Sequence, residues 1–209
     1  MLNRSEEEMK TTNQITLVRL GMAFILPFFL LSPLPYGKTA GLILFIGAAL
    51  TDYLDGVIAR RQGTITVFGK LMDPLADKVL ICSAFICFAA QNQIVPAWIV
   101  VIIMAREFMV TGIRLLAANQ GLAIEAGRWG KHKTVWQIIV IIVIITGEAV
   151  RDDFLPMIIA GQNLNFDLIA FNLYFSRLTF WISVLVAVLT VISGTVYFWE
   201  HRKLVMKDV

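Results

Sequence analysis

The chain has 209 residues, 58% of them hydrophobic and only 16% charged, where soluble domains run to about 45–50% and about 25%. With a mean hydropathy of +0.76, this excludes an ordinary soluble domain and a disordered chain, and at about 20 residues per span the length fits a membrane bundle of roughly five to seven helices. The net charge of +3, from 18 basic against 15 acidic residues, comes without a clustered basic arm, so it fits cationic loops facing an anionic leaflet and no nucleic-acid partner.

Residues 1–12, MLNRSEEEMKTT, are expected to form a polar, partly disordered cytosolic tail with no cleavable leader, since no short apolar core precedes a small-residue cleavage site. Residues 13–20 are expected near the interface, with Thr12 or Asn13 as a helix cap. Six spans are predicted, over 15–34, 39–60, 70–90, 95–118, 132–149 and 179–200. The fold class is thus all-α, a polytopic membrane protein whose six helices form one bundle. Residues 13–201 make a single membrane domain and 202–209 a basic cytosolic tail. The longest connection, 150–178, carries Arg151, Asp152, Asp153, Asn163, Asn165 and Asp167 and is expected to be an external loop with a short interfacial helix. Cys82 and Cys87 stand five apart in an apolar run, so on a helix they point apart and read as buried thiols.

Orientation follows from basic residues counted by side. With the N-terminus inside, the cytosolic ends hold Arg4, Lys10, Arg60, Arg61, Lys70, Arg128, Lys131, Lys133, Arg202, Lys203 and Lys207. The opposite side holds Lys38, Arg151 and Arg177. Both termini are therefore expected in the cytosol.

Four aspartates interrupt the second and third apolar runs: Asp52, Asp55, Asp73 and Asp77. A carboxylate left at a membrane helix centre costs about 2.5–3.5 kcal/mol on insertion scales. Asp52 and Asp55 are three apart, and Asp73 and Asp77 four apart, so each pair shares a helix face. A short loop makes the two helices antiparallel neighbours, and the four carboxylates can converge. Bound cations or protons must then offset their repulsion. Oxygen donors select Mg2+, Mn2+ or Ca2+ over zinc. At 1.5 Å per residue, Asp52 lies about 12 Å and Asp77 about 10 Å from the basic cytosolic ends, which is lipid-phosphate depth. Gly56 and Gly69 permit close approach of a ligand or backbone, Ala59 keeps the face below Asp55 open, and Arg60 can present a fork to a phosphate.

Together these residues read Asp52-x-x-Asp55-Gly56-x-x-Ala59-Arg60, eight residues, then Gly69-x-x-x-Asp73-x-x-x-Asp77. The pattern resembles the signature of the CDP-alcohol phosphotransferase family at every fixed position and in both gaps. Ala105 to Arg114 (AREFMVTGIR), Gly130 to Thr134 (GKHKT), SGTVYF near the end, and Asn13, Thr16 and Arg19 are similar to the branch of that family that forms phosphatidylglycerol phosphate. Thr12 stands where the family usually has proline. The resemblance covers roughly 13–145 and 190–200 and leaves 150–178 unmatched.

The resemblance implies a six-helix enzyme of the bacterial inner membrane, usually a homodimer, with its active site facing the cytosol. It would join CDP-diacylglycerol to sn-glycerol 3-phosphate and release CMP. By carry-over, Asp52, Asp55 and Asp73 hold two divalent cations, Mg2+ or Mn2+, with Asp77 on or close to the second. Asp77 matches the general base. Gly56, Ala59, Arg60, Thr66 and Gly69 would line the CDP-diacylglycerol site, with Asn13 and Thr16 near the base or sugar. The acceptor carries its own phosphate and needs further cations, for which Arg106, Arg114, Lys131 and Lys133 are the candidates. Arg106 is the informative one, because an arginine deep in a span is costly without a partner, whether that is a ligand or Glu107. His132 and His201 read as interfacial side chains. Three rivals stand beside this reading. A sister enzyme would use serine or inositol phosphate. A divalent-cation transporter would carry its site near the midplane, and a non-catalytic subunit would not need the full aspartate set.

Overall fold

The computed structural model describes residues 2–62, 67–91, 94–119, 128–161 and 168–205, and the side chains of 16–51, 75–76, 78–91, 94–117, 133–158 and 169–202. Among the described residues the chain is entirely helical: α1 (Leu2–Leu31), α2 (Gly37–Gln62), α3 (Val67–Ala90), α4 (Ala97–Asn119), α5 (Arg128–Ala149), a π-helical turn (Val150–Phe154), α6 (Leu155–Gly161) and α7 (Leu168–Val205). Two stretches, Lys133–Ile158 and Ile169–Arg202, are long and apolar enough to cross a membrane. The chain forms two compact units, Met1–Cys87 with Ile141–Asp167, and Phe88–Val140 with Leu168–Val209.

In the first unit α1 and α2 form a hairpin. Its interior is Ala23, Leu26 and Leu30 against Phe45 and Ala48, all fully buried. The helices meet closely at Gly41, where an added Cβ would stand 2.7 Å from Leu30 Cδ2; only glycine permits that approach. The connection turns on Tyr36, a non-glycine residue at φ +59°, a conformation that costs about 1–3 kcal/mol. Its ring packs edge-on against Phe154 at 6.2 Å and its hydroxyl points at Met157 Sδ at 3.7 Å, contacts that hold the turn. The helix ends are closed by side chains. Lys38, itself buried, donates to the Leu30 carbonyl. Asp153 Oδ2 accepts from Thr39 N at 2.8 Å and Thr39 Oγ1 at 2.7 Å, placing a carboxylate at the positive end of α2.

In the second unit α4 packs on α7. Arg106 meets Ser193, and Val110 and Ile113 cluster with Tyr197. Residue numbers rise together along both helices, so they run parallel. The inner face of α7 is small or polar: Thr179, Ser183, Ala187, Thr190 and Ser193 are buried. Its outer face exposes Trp181, Leu185, Val188, Ile192 and Trp199. Large apolar residues outside and small ones inside invert the soluble pattern, as membrane helix packing requires.

Three expectations change. The segment 1–12, expected to be partly disordered, is helical from Leu2, where α1 starts. Its polar residues are mostly helix formers, with Glu6 and Lys10 at pair spacing, and hydropathy is blind to such a helix. Thr12 and Asn13 consequently lie inside α1 and cap nothing. Finally, 150–178 is largely helical. The π turn and α6 extend α5, and α7 starts at Leu168, eleven residues before the expected span. The short helix foreseen there is α6. Cys82 and Cys87 are free and buried, as expected.

Candidate active site

The acidic residues lie on the first unit's helices. Asp52 and Asp55 are on α2, and Asp73 and Asp77 are on α3. Four residues, 63–66, separate the two helices. Gly56, Ala59 and Arg60 continue α2, and Gly69 opens α3. The side chains of all these residues, and Thr66 altogether, lie outside the described residues, as does that of Asn13. Thr16 is described and points inward from α1, with Arg19 beside it, at 3% and 2% exposure.

The donor chemistry fits divalent cations. Four carboxylates occur at one-turn spacing on two consecutive helices, and hard oxygen ligands are what Mg2+ and Mn2+ take. Such ions keep open positions for substrate phosphates.

The candidate acceptor cations lie on the second unit. Arg106 projects from α4, and its Nη2 donates to Ser193 Oγ of α7 at 2.6 Å. Its Nη1 stands 3.6 Å from Glu107 Oε1. The same carboxylate oxygen receives Lys133 Nζ from α5 and Gln137 Nε2 at 3.4 Å. Lys133 is 3% exposed and Gln137 fully buried. Glu107 therefore gathers three groups from two helices, the pairing that a part-buried carboxylate calls for.

Farther along α4, Arg114 Cζ lies 5.7 Å from the centroid of the Tyr197 ring, a cation–π arrangement. The His201 ring packs on Tyr197 at 4.5 Å, and its Nδ1 is 2.9 Å from the Tyr197 carbonyl, in keeping with a supporting side chain. Lys131 lies in the first turn of α5, its side chain outside the described residues, like that of His132. Gly194 makes room for Arg106: a Cβ there would stand 2.8 Å from Arg106 Cγ.

The structure thus joins Arg106 and Lys133 through Glu107 and sets Arg114 on Tyr197. Sequence reasoning considered Glu107 only as an ion-pair partner and missed Ser193, Gly194, Tyr197 and Gln137. The run SGTVYF contains three of them, and Ser193 and Tyr197 are four apart, one helical turn. That spacing was the available signal.

Comparison with known proteins agrees with the motif. The family model described as CDP-alcohol phosphatidyltransferase matches residues 9–192. A CDP-diacylglycerol–glycerol-3-phosphate 3-phosphatidyltransferase of Bacillus subtilis is 37% identical over 206 residues, covering 91% of this chain and 96% of its own. The protein of the same description from Rickettsia bellii is 31% identical, covering 91% and 94%. A probable phosphatidylglycerophosphate synthase of Mycobacterium tuberculosis is 40% identical over 136 residues, covering 62% of each chain.

Proposed function

The chain belongs to the CDP-alcohol phosphatidyltransferase family, and on that premise we propose a metal-assisted direct displacement at the acidic helices α2 and α3. The protein is a membrane enzyme of phospholipid synthesis. It transfers the phosphatidyl group from CDP-diacylglycerol to sn-glycerol 3-phosphate, giving phosphatidylglycerol phosphate and CMP.

In our reading Asp77 accepts the proton of the acceptor hydroxyl, which must come within about 3 Å of its carboxylate. The hydroxyl oxygen bonds to the β-phosphorus of the donor. The bond from that phosphorus to the bridging oxygen breaks, and CMP leaves with the electron pair. The family depends on divalent cations. Two Mg2+ or Mn2+ ions, held by Asp52, Asp55, Asp73 and Asp77, would neutralise the charge that develops on the diphosphate. Asn13, Thr16, Gly56, Ala59, Arg60, Thr66 and Gly69 hold the CDP-diacylglycerol headgroup. Arg106, Arg114, Lys131 and Lys133 bind the acceptor phosphate. The remaining parts of the reading are six spans, both termini and the active site on the cytosolic side of a bacterial inner membrane, and a homodimer.

One observation carries this reading: the complete acidic signature lies on consecutive helices of a chain that matches the family over 9–192. The test is purified protein supplied with CDP-diacylglycerol, Mg2+ and, separately, labelled glycerol 3-phosphate, serine or inositol phosphate. Metal-dependent CMP release with glycerol 3-phosphate alone is expected. Equal turnover of serine would overturn the acceptor assignment.

A further inference from the structure

Tyr197 is 7% exposed, and its hydroxyl has no hydrogen-bond partner among the described residues. Such an orphan is expensive, because a buried donor left unpaired forfeits its hydration without compensation, and native proteins leave few of them. The ring itself is well placed. It packs with Val110 and Ile113, stacks on His201 and lies under Arg114. Phenylalanine would serve every one of those contacts, and only the hydroxyl lacks an explanation.

Two more donors on the same α4–α7 face share this condition. Arg106 Nε and Arg114 Nε are buried without a hydrogen-bond partner among the described residues. Ser193, which holds the Arg106 fork, stands one turn before Tyr197. The α4–α7 face therefore presents two guanidinium groups and a phenol, all with an N–H or O–H to give. Glu107 is the described carboxylate in contact with it, and that group is already engaged by Lys133, Gln137 and Arg106. A set of unused donors with surplus positive charge is complementary to an oxyanion with several acceptor oxygens.

We propose that the Tyr197 hydroxyl donates a hydrogen bond to the phosphate of the acceptor and is a specificity-determining residue for phosphorylated alcohols. This rests on the acceptor reading above and extends it. The two arginines supply charge, and the phenol supplies a directed neutral donor. A site built to hydrogen-bond a substrate group discriminates strongly against an analogue that lacks it, because the buried donor is again left unpaired.

Tyr197→Phe tests this, because it keeps the ring and removes one oxygen. Initial rates are measured on purified wild type and variant in mixed micelles, varying glycerol 3-phosphate and CDP-diacylglycerol in turn. Inorganic phosphate serves as a competitive probe of the acceptor site. The expected result is a KM for glycerol 3-phosphate raised about tenfold or more, a matching rise in the inhibition constant of phosphate, an unchanged KM for CDP-diacylglycerol and an unchanged melting midpoint. An unchanged acceptor KM would overturn the proposal, as would a lowered melting midpoint, which would assign the hydroxyl a partner within the protein. An equal rise in both KM values would also overturn it. Failure of the wild type to use glycerol 3-phosphate would instead overturn the functional reading beneath it, so the two failures are distinguishable.

Discussion

The polar groups where α1 meets α2 and those where α4 meets α7 are both buried in apolar surroundings, yet they are arranged to opposite ends. At the first junction two of the groups close gaps in the backbone. Lys38 caps the Leu30 carbonyl, Asp153 caps the amide of Thr39, and the buried Glu148 faces Arg151 at 3.8 Å. At the second junction the described links run between side chains, and Arg106 Nε, Arg114 Nε and the hydroxyls of Ser183, Thr190 and Tyr197 have no hydrogen-bond partner among the described residues. A membrane bundle tolerates polar groups of the first kind because backbone demands them. Those of the second kind satisfy no backbone, and in our proposal they meet the acceptor phosphate. On that proposal the contrast separates polar groups that hold the fold from polar groups that serve chemistry.

The largest effect is expected outside both junctions and sets the scale. Asp77→Asn should lower turnover by about 10²–10⁴-fold, the usual contribution of a general base, with CMP release as the readout and the melting midpoint retained. Near-normal turnover would remove the base assignment. Next comes the open junction: Arg106→Ala should lower kcat/KM for glycerol 3-phosphate by roughly 30–150-fold, the loss of one charged hydrogen-bonding partner. The KM for CDP-diacylglycerol should hold. Lysine at that position should restore only part of the loss, because it keeps charge without the fork that reaches Ser193.

A smaller effect is expected from Gly194→Ala. The new methyl would meet Arg106 Cγ at 2.8 Å, so the arginine must move, and the acceptor KM should rise about fivefold to tenfold, in line with an overpacking cost of about 1–1.4 kcal/mol. Asp153→Ala, at the closed junction, should do the reverse. It removes the carboxylate at the start of α2 and costs about 1 kcal/mol, seen as a lower melting midpoint in detergent with both KM values unchanged. A change in acceptor KM there would erase the distinction between the two junctions.

The acidic motif was legible because the family signature specifies residue types at helical spacing, and Asp52 through Asp77 lie within 26 residues of one another. Helix existence was legible wherever apolar runs are long, as in α2 to α5. The start of α1 was not, since a polar helix leaves no hydropathy signal. Nor was the extension of α5 through a π turn into α6, where Arg151, Asp152 and Asp153 read as loop residues. Their charges are instead satisfied within the helical structure: Arg151 chelates Asp152 next to it at 2.6 and 2.9 Å, and Asp153 caps α2 across 114 positions of sequence. The α4–α7 network was hidden for a different reason. Arg106 and Ser193 are 87 positions apart, and no periodicity within one helix announces a partner at that distance.

That separation has a consequence for biogenesis. At about 5–20 residues per second, the ribosome delivers Ser193 roughly 4–17 s after Arg106. Until then the guanidinium of α4 lacks the hydroxyl that it meets in the finished chain. The proposed acceptor-phosphate site is thus among the last parts of the nascent chain to be finished, and a polypeptide interrupted before α7 would carry a complete acidic motif and an arginine still without its serine.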